Sequence, residues 1–129
     1  MFNINANDLK VKNPSETIGV DMGQSLSKIA FTQDNMLICS SYSTQNDLRI
    51  LEENLESKIN HYKSMNFTGG RCFKLFQSYS ANYKTEILNE FDANAKGVEI
   101  LYLLEKKKEL PPSLIVTIGT GTSMIQLTI

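Results

Sequence analysis

The chain has 129 residues, a formal net charge of -1, 41% hydrophobic residues and 21% charged residues. A single domain of this length buries about two thirds of its unfolded surface, so a real core is possible. The near-neutral charge gives no broad basic field for nucleic acid or an anionic membrane. No run approaches the roughly 20 apolar residues of a membrane span, and the polar start lacks the apolar segment of a signal peptide. The composition therefore predicts a cytoplasmic globular protein with no nucleic-acid or membrane partner.

The metal-ligating and thiol residues are few. Cys39 and Cys72 cannot form a disulfide framework, and His61 is the only histidine, so no cluster has zinc-site spacing. We expect both thiols to be buried or half-buried small hydrophobes and His61 to lie on the surface.

The first part of the chain reads as a polar arm followed by strands. Residues 1–16 are polar and end in an Asn-Pro-Ser sequence, which predicts a flexible N-terminal arm. Three short apolar runs between residues 17 and 42 predict an antiparallel meander. In the first run Ile18 and Val20 share one face, so Asp21 points the other way at the end of the strand.

The middle of the chain alternates helices and strands. Residues 47–63 have apolar positions at spacings of three and four, which predicts an amphipathic helix. A short strand at 65–68 runs into a Gly-Gly turn and a helix at 71–79, the pattern of a crossover between strands.

The last part begins with a strand at 85–88 and a long helix at 90–107, which Pro111 and Pro112 end. The apolar run 114–118 is typical of a strand that is covered on both faces. A second strand follows, so the predicted order of elements is βββαβαβαββ.

Two glycine turns carry the first candidate chemistry. The sequences DMGQS and GTGTS each lie between two apolar runs, and superposing Gly23 on Gly121 aligns Val20 with Ile118. Backbone amides in such turns can hold anions, so the pair predicts a divided phosphate cradle. Asp21 could hold a magnesium ion and Lys28 could reach a phosphate. The alternatives are an ordinary hairpin turn and an exposed surface lysine.

Glu90 is the candidate general base. It stands at the start of the predicted long helix, where the helix dipole keeps a carboxylate ionised and able to accept a proton. Acidic residues in a first helical turn often only stabilise the helix, and that alternative stays open. Neither a GxxxxGK[ST] loop nor a GxGxxG between a strand and a helix occurs.

Four segments in order resemble one family. The segments GVDMGQSLSKIAF, FTGGRCFKL, NEFDANAKGVEILYL and PPSLIVTIGTGTSMIQL together resemble the eukaryotic-type (type II, Fumble-like) pantothenate kinases of the actin-like ATPase superfamily. The resemblance implies an α/β fold with a ribonuclease H-like lobe, a βββαβαβα mixed sheet with helices, and the first β-hairpin of a second lobe. It implies an N-terminal lobe at 17–112 and the start of a truncated second lobe at 113–129.

The same resemblance implies an activity and a set of roles. The activity is transfer of the γ-phosphate of ATP to pantothenate, with Mg²⁺, in the first step of coenzyme A biosynthesis. Glu90 would be the general base and Asp21 would serve the metal and its water. The nucleotide phosphates would meet Gly23, Gln24, Ser25 and Lys28 on the first turn, and Gly119, Thr120, Gly121, Thr122 and Ser123 on the second. Gly69 and Gly70 would bring the backbone close to the substrate.

Two departures from the family pattern shape the expectation. Gln24 replaces a second glycine, and its side chain is expected either to crowd the phosphates or to narrow the turn. The chain also lacks the later glycine-rich and arginine segments of the family, so we expect little activity from it alone. Its partner would be a complementary C-terminal half or a second copy. The rival hypothesis is a noncatalytic dimerisation or protein-binding module, and a third is a kinase with another small acceptor.

Overall fold

The computed structural model of the chain describes residues 2–5, 16–34, 36–119 and 122–128, which fall into two compact units. The first unit is Met1–Leu88 and the second is Asn89–Ile129. The boundary expected from the sequence, at residue 112, falls inside the second unit, and the division into lobes stays a prediction.

A six-stranded mixed sheet forms the frame of the first unit, with the strand order β1-β4-β3-β2-β5-β6. Strand β1 pairs antiparallel with β4, β4 with β3 and β3 with β2. Strand β5 runs parallel to β2, and β6 runs parallel to β5. The meander and the crossover predicted from the sequence are both confirmed. The strands are β1 (Phe2–Asn5), β2 (Thr17–Met22), β3 (Leu26–Gln33), β4 (Met36–Ser43), β5 (Ser64–Thr68) and β6 (Lys84–Ile87).

Strand β1 lies within the segment that the sequence predicts to be a flexible arm. It pairs with β4, from Phe2 opposite Cys39 to Asn5 opposite Met36. For these four residues the structure replaces a loose arm with an edge strand. Residues 1 and 6–15 of the predicted arm lie outside the described residues.

Two helices pack on this sheet. They are α1 (Leu48–Lys58), which continues into a 3-10 turn at Ile59–His61, and α2 (Phe73–Ser80). Burial alternates along β2, so every second side chain enters the core while Asp21 faces the other way, as predicted. Each fully buried aliphatic or aromatic side chain contributes about 1.5–3 kcal/mol. The core contains Ile18, Val20, Met22, Ile29, Phe31, Leu51, Leu55, Ile59, Met65, Phe67, Cys72, Leu75 and Tyr79.

The second unit combines one long helix with one hairpin. Helix α3 (Glu90–Lys106) ends at Lys107, whose φ of 57° places it in the left-handed region. Strands β7 (Ser113–Ile118) and β8 (Thr122–Leu127) pair antiparallel. The element order predicted from the sequence is therefore confirmed, with β1 as an addition.

One face of the β7–β8 hairpin is apolar and exposed. Ile115 is buried, but Leu114 is 62% exposed, Val116 48%, Ile118 83% and Met124 71%. The expectation that β7 is covered on both faces is therefore not met within residues 113–118. In the part of the chain that the structure describes, no helix is long and apolar enough to cross a membrane.

Candidate functional site

The first glycine turn joins β2 to β3. Met22 pairs with Ser27, and the backbone N–H of Gly23 donates to Leu26 O at 3.0 Å. A Cβ added at Gly23 would lie 2.8 Å from that same carbonyl oxygen. The tightness of the turn therefore requires glycine at position 23.

Thr44, just after β4, holds the turn from one side. Its hydroxyl donates to Gly23 O at 3.0 Å, and its backbone N–H donates to Ser25 O at 2.9 Å. Ser27 is fully buried, and a hydrogen bond of 2.8 Å joins its hydroxyl to that of Thr44. Because a trans peptide sets N–H opposite to C=O, the Gln24 N–H points away from Thr44. An amide in that position is available to an anion.

Thr44 is a residue that the sequence reasoning missed. It lies near the turn only because β4 pairs with β3, with Ser43 opposite Leu26. A threonine at the end of a strand does not by itself indicate that it contacts a distant turn. That contact follows only from the register in which β4 pairs with β3.

Asp21 and Lys28 stand opposite each other on β2 and β3 and bond directly. Lys28 Nζ lies 3.1 Å from Asp21 Oδ2, and the two side chains are 51% and 32% exposed. The predicted metal residue and the predicted phosphate residue therefore lie side by side at the turn. An exposed pair of this kind contributes at most about 1 kcal/mol, so either partner can be drawn to a ligand at small cost.

The Gly-Gly turn after β5 packs on the end of β2. Thr68 lies opposite Asp21 in the parallel pairing, and Arg71 N donates to Met22 O at 3.0 Å. Gly69 has a φ of +93°, and a Cβ there would lie 2.3 Å from Met22 O and 2.7 Å from Asp21 Oδ1. A Cβ on Gly70 would meet nothing within 4 Å. Gly69 is thus required by the protein's own backbone, whereas Gly70 borders open space.

Gln24 and Arg71 link the two turns through their side chains. Arg71 Nε donates to Gln24 Oε1 at 2.9 Å, and both residues are exposed. No role for Arg71 is predicted from the sequence. The available signal was a cation directly after a Gly-Gly turn, and it gains meaning only from the contact with Gln24.

Glu90 is the first residue of α3 and is exposed. Asn89 caps this helix, since its Oδ1 accepts from the backbone N–H groups of Phe91 at 2.9 Å and Asp92 at 3.3 Å. The structural task of closing the helix end is therefore performed by Asn89. Leu88, which precedes this cap, is held in the first unit by bonds to Phe67 O at 2.7 Å and from the Thr68 hydroxyl at 3.0 Å.

The second glycine turn is described only at its edges. Thr120 and Gly121 lie outside the described residues, Gly119 is exposed, and the hydroxyls of Thr117 and Ser123 are bonded across the hairpin. Ile118 pairs with Thr122, which leaves three connecting residues, whereas Met22 and Ser27 leave four. The two hairpins therefore differ in the number of residues between their last paired positions. Aligning Gly23 with Gly121 in the sequence thus does not align the pairing registers of the two hairpins.

The remaining candidate chemistry is limited. No group of three or more His, Cys, Asp or Glu that could hold a metal occurs among the described residues. Burial raises the pKa of the Cys39 thiol, and Cys72 is buried, which agrees with their prediction as small hydrophobes. His61 is exposed, as expected.

The first unit is a mixed α/β lobe that carries a glycine turn beside a carboxylate, as an α/β kinase-like lobe would. Curated bacterial proteins named type II pantothenate kinase are similar to this chain. The protein from Bacillus anthracis is 36% identical over 109 residues, covering 84% of this chain and 38% of its own length. The protein from Oceanobacillus iheyensis is 34% identical over 111 residues, covering 83% of this chain and 39% of its own length.

Over about 84% of its length the chain is therefore similar to bacterial proteins named type II pantothenate kinase. No family model matches it. The chain spans about 38% of the length of the relatives it matches.

Proposed function

We propose that this chain supplies the first phosphate turn and the catalytic base of an ATP-dependent pantothenate kinase. The observation that carries the proposal is the packing of the Gly69–Arg71 turn onto Met22 and Asp21 at the end of β2. Two of the four segments that resemble the family meet there. The relatives' shared name supports the reaction.

In the proposed reaction Glu90 accepts the proton of the terminal hydroxyl of pantothenate. The hydroxyl oxygen then forms a bond to the γ-phosphorus of ATP, the bond to the β,γ-bridging oxygen breaks, and ADP leaves. Phosphoryl transfer of this kind depends mainly on positioning and charge neutralisation. The N-terminus of α3 is capped by Asn89, so the Glu90 carboxylate is not needed for that task.

Asp21 and the first turn would hold the phosphate end of the nucleotide. Magnesium is usually held by one or two carboxylates together with substrate phosphates, so the single carboxylate of Asp21 suits it. Gly23, Gln24, Ser25 and Lys28 would contact phosphates, and residues 119–123 would do so from the second turn. Open space at Gly70 suits a close approach of substrate, whereas Gly69 packs against Asp21.

We also propose three finer features of the chain: an actin-like lobe with ribonuclease H-like topology, membership of the eukaryotic-type subgroup and a cytoplasmic location. We further propose that activity needs a complementary C-terminal half, because the chain spans 38% of the B. anthracis relative.

A mixing experiment tests the catalytic proposal. The chain is combined with a separately produced polypeptide equivalent to the unmatched part of the B. anthracis relative, and pantothenate-dependent ADP release is measured. Glu90→Gln should lower the rate at least about 100-fold, as loss of a general base does. Asp92→Asn, which removes a carboxylate from the same helical turn, should keep most of the rate. Turnover that survives Glu90→Gln, or that never appears, would refute the catalytic role.

A noncatalytic binding module is the second candidate. The exposed apolar face of the β7–β8 hairpin favours it, because such patches are typical of protein interfaces. Concentration-dependent association of the chain with itself, without any turnover in the mixture, is its expected signature. A kinase for another acceptor would instead release ADP with a different small alcohol.

A further inference from the structure

Gln24 and Arg71 form a pair that joins the two turns at the end of β2. The side chains bond at 2.9 Å, and the backbone N–H of Arg71 also bonds to Met22 O at 3.0 Å. Arg71 is therefore tied to the first turn twice. Since both side chains are exposed, the pair borders solvent.

The chemistry of arginine fixes how the amide of Gln24 is oriented. A guanidinium has five N–H donors and no acceptor, so Gln24 must present Oε1 to it. The two N–H donors of Gln24 Nε2 then take no part in the bond to Arg71. The pair therefore offers the Nε2 donors of Gln24 and the Nη donors of Arg71, which suit the acceptor oxygens of a phosphate.

The other cation of the turn is differently placed. Lys28 lies 3.1 Å from the carboxylate of Asp21, which balances its charge. Arg71 bonds to a neutral amide, and it forms no salt bridge with any residue that the structure describes. An anion at the first turn would therefore meet the charge of Arg71 without competition from a carboxylate.

We propose that Arg71 binds a phosphate of the nucleoside triphosphate at the β2–β3 turn and that Gln24 positions its guanidinium. The inference rests on the proposed function, because it assumes that this turn binds phosphate. It reverses the expectation that Gln24 crowds the phosphates, since Gln24 Oε1 accepts from Arg71 Nε and holds the guanidinium in place.

The test uses the full 129-residue chain and inorganic triphosphate as the probe. Binding is followed at low ionic strength by the backbone amide NMR shifts of residues 23–25 and by the Nε–Hε resonance of Arg71. Arg71→Gln should weaken binding about tenfold, the effect of one lost charge-assisted hydrogen bond. Arg49→Gln is the matched control, because Arg49 lies on α1, is paired with Glu53 and carries the same charge. It should change the affinity less than about twofold.

Gln24→Gly separates positioning from crowding by the sign of its effect. If Gln24 positions Arg71, the variant binds triphosphate about threefold more weakly and its Arg71 Nε–Hε resonance moves even without ligand. Arg71→Lys keeps the charge but loses the planar fork, so it should recover only part of the affinity. Far-UV circular dichroism and the spread of amide resonances check that each variant is folded.

The contrary outcomes are distinct from one another. Equal effects of Arg71→Gln and Arg49→Gln would overturn the inference and leave the proposed function standing. Tighter binding by Gln24→Gly would show that Gln24 crowds the site and would overturn its positioning role. No shift at residues 23–25 in the unaltered chain would remove the phosphate turn, and with it both the proposed function and this inference.

Discussion

Neighbouring glycines at positions 69 and 70 differ in what they require. Gly69 has a positive φ, and a Cβ there would overlap Met22 O and Asp21 Oδ1, whereas Gly70 faces open space. Gly69→Ala should lower the free energy of unfolding by at least about 2 kcal/mol, because strain and overlap add. Gly70→Ala should stay within about 0.5 kcal/mol of the unaltered chain. Urea unfolding followed by circular dichroism measures both, and equal effects would contradict the geometry.

Tyr79 gives the stability of the first unit a pH dependence. Burial, reinforced by Glu56 and Glu52, raises the pKa of Tyr79 to about 12. An unfolded tyrosine ionises at about pH 10, so between pH 10 and 12 the unfolded chain releases a proton that the folded chain keeps. The contribution is therefore full below pH 10 and is lost as the pH rises through 12.

Tyr79→Phe should remove this part of the pH dependence. The free energy of unfolding of the variant should fall less steeply between pH 10 and 12 than that of the unaltered chain. Urea unfolding at several pH values provides the measurement, with Tyr102→Phe in the second unit as the control. Parallel slopes for the unaltered chain and Tyr79→Phe would show that the tyrosine is not shielded from ionisation.

At the level of elements, Asn89 links the end of the first unit to the start of α3. Its side chain accepts from two orphan N–H groups of the helix. Asn89→Ala should therefore cost about 1 kcal/mol of stability, and Asn89→Asp should keep most of it. Thermal unfolding monitored at 222 nm is the measurement, and Asn82→Ala, in the exposed turn after α2, is the control. An unchanged midpoint for Asn89→Ala would mean that the cap does not contribute.

The elements themselves were largely readable from the sequence, because hydrophobic period and glycine or proline punctuation are local signals. Helix α3 was predicted at 90–107 and is found at Glu90–Lys106. Local signals failed where the partner was distant. Strand β1 lies in a segment that reads as a polar arm, and it gains its structure by pairing with β4.

The candidate site follows the same division. Asp21 and Gly23 could be predicted from one segment, because a strand, a glycine and an alternating face place them together. Thr44 and Arg71 reach the turn only through sheet pairing and through the crossover that brings β5 beside β2. The difference in register between the two hairpins was also invisible, since aligned glycines do not fix which residues pair.

For the whole molecule, the most consequential feature is the apolar face of the β7–β8 hairpin. Val116 and Met124 lie opposite each other on this face, and both are exposed. If a complementary C-terminal half completes the kinase, this face is the natural place for it to pack, because burying apolar surface drives association.

Val116→Lys should therefore weaken the association with the complementary polypeptide at least about tenfold, since a buried charge without a partner is costly. Ile50→Lys is the matched control, because Ile50 on α1 is exposed to a similar degree and belongs to the first unit. Isothermal titration of each variant with the complementary polypeptide provides the measurement. Equal affinities for the two variants would mean that the completing half packs elsewhere. Loss of self-association in Val116→Lys, with no change in binding to the other half, would favour the dimerisation module over the kinase.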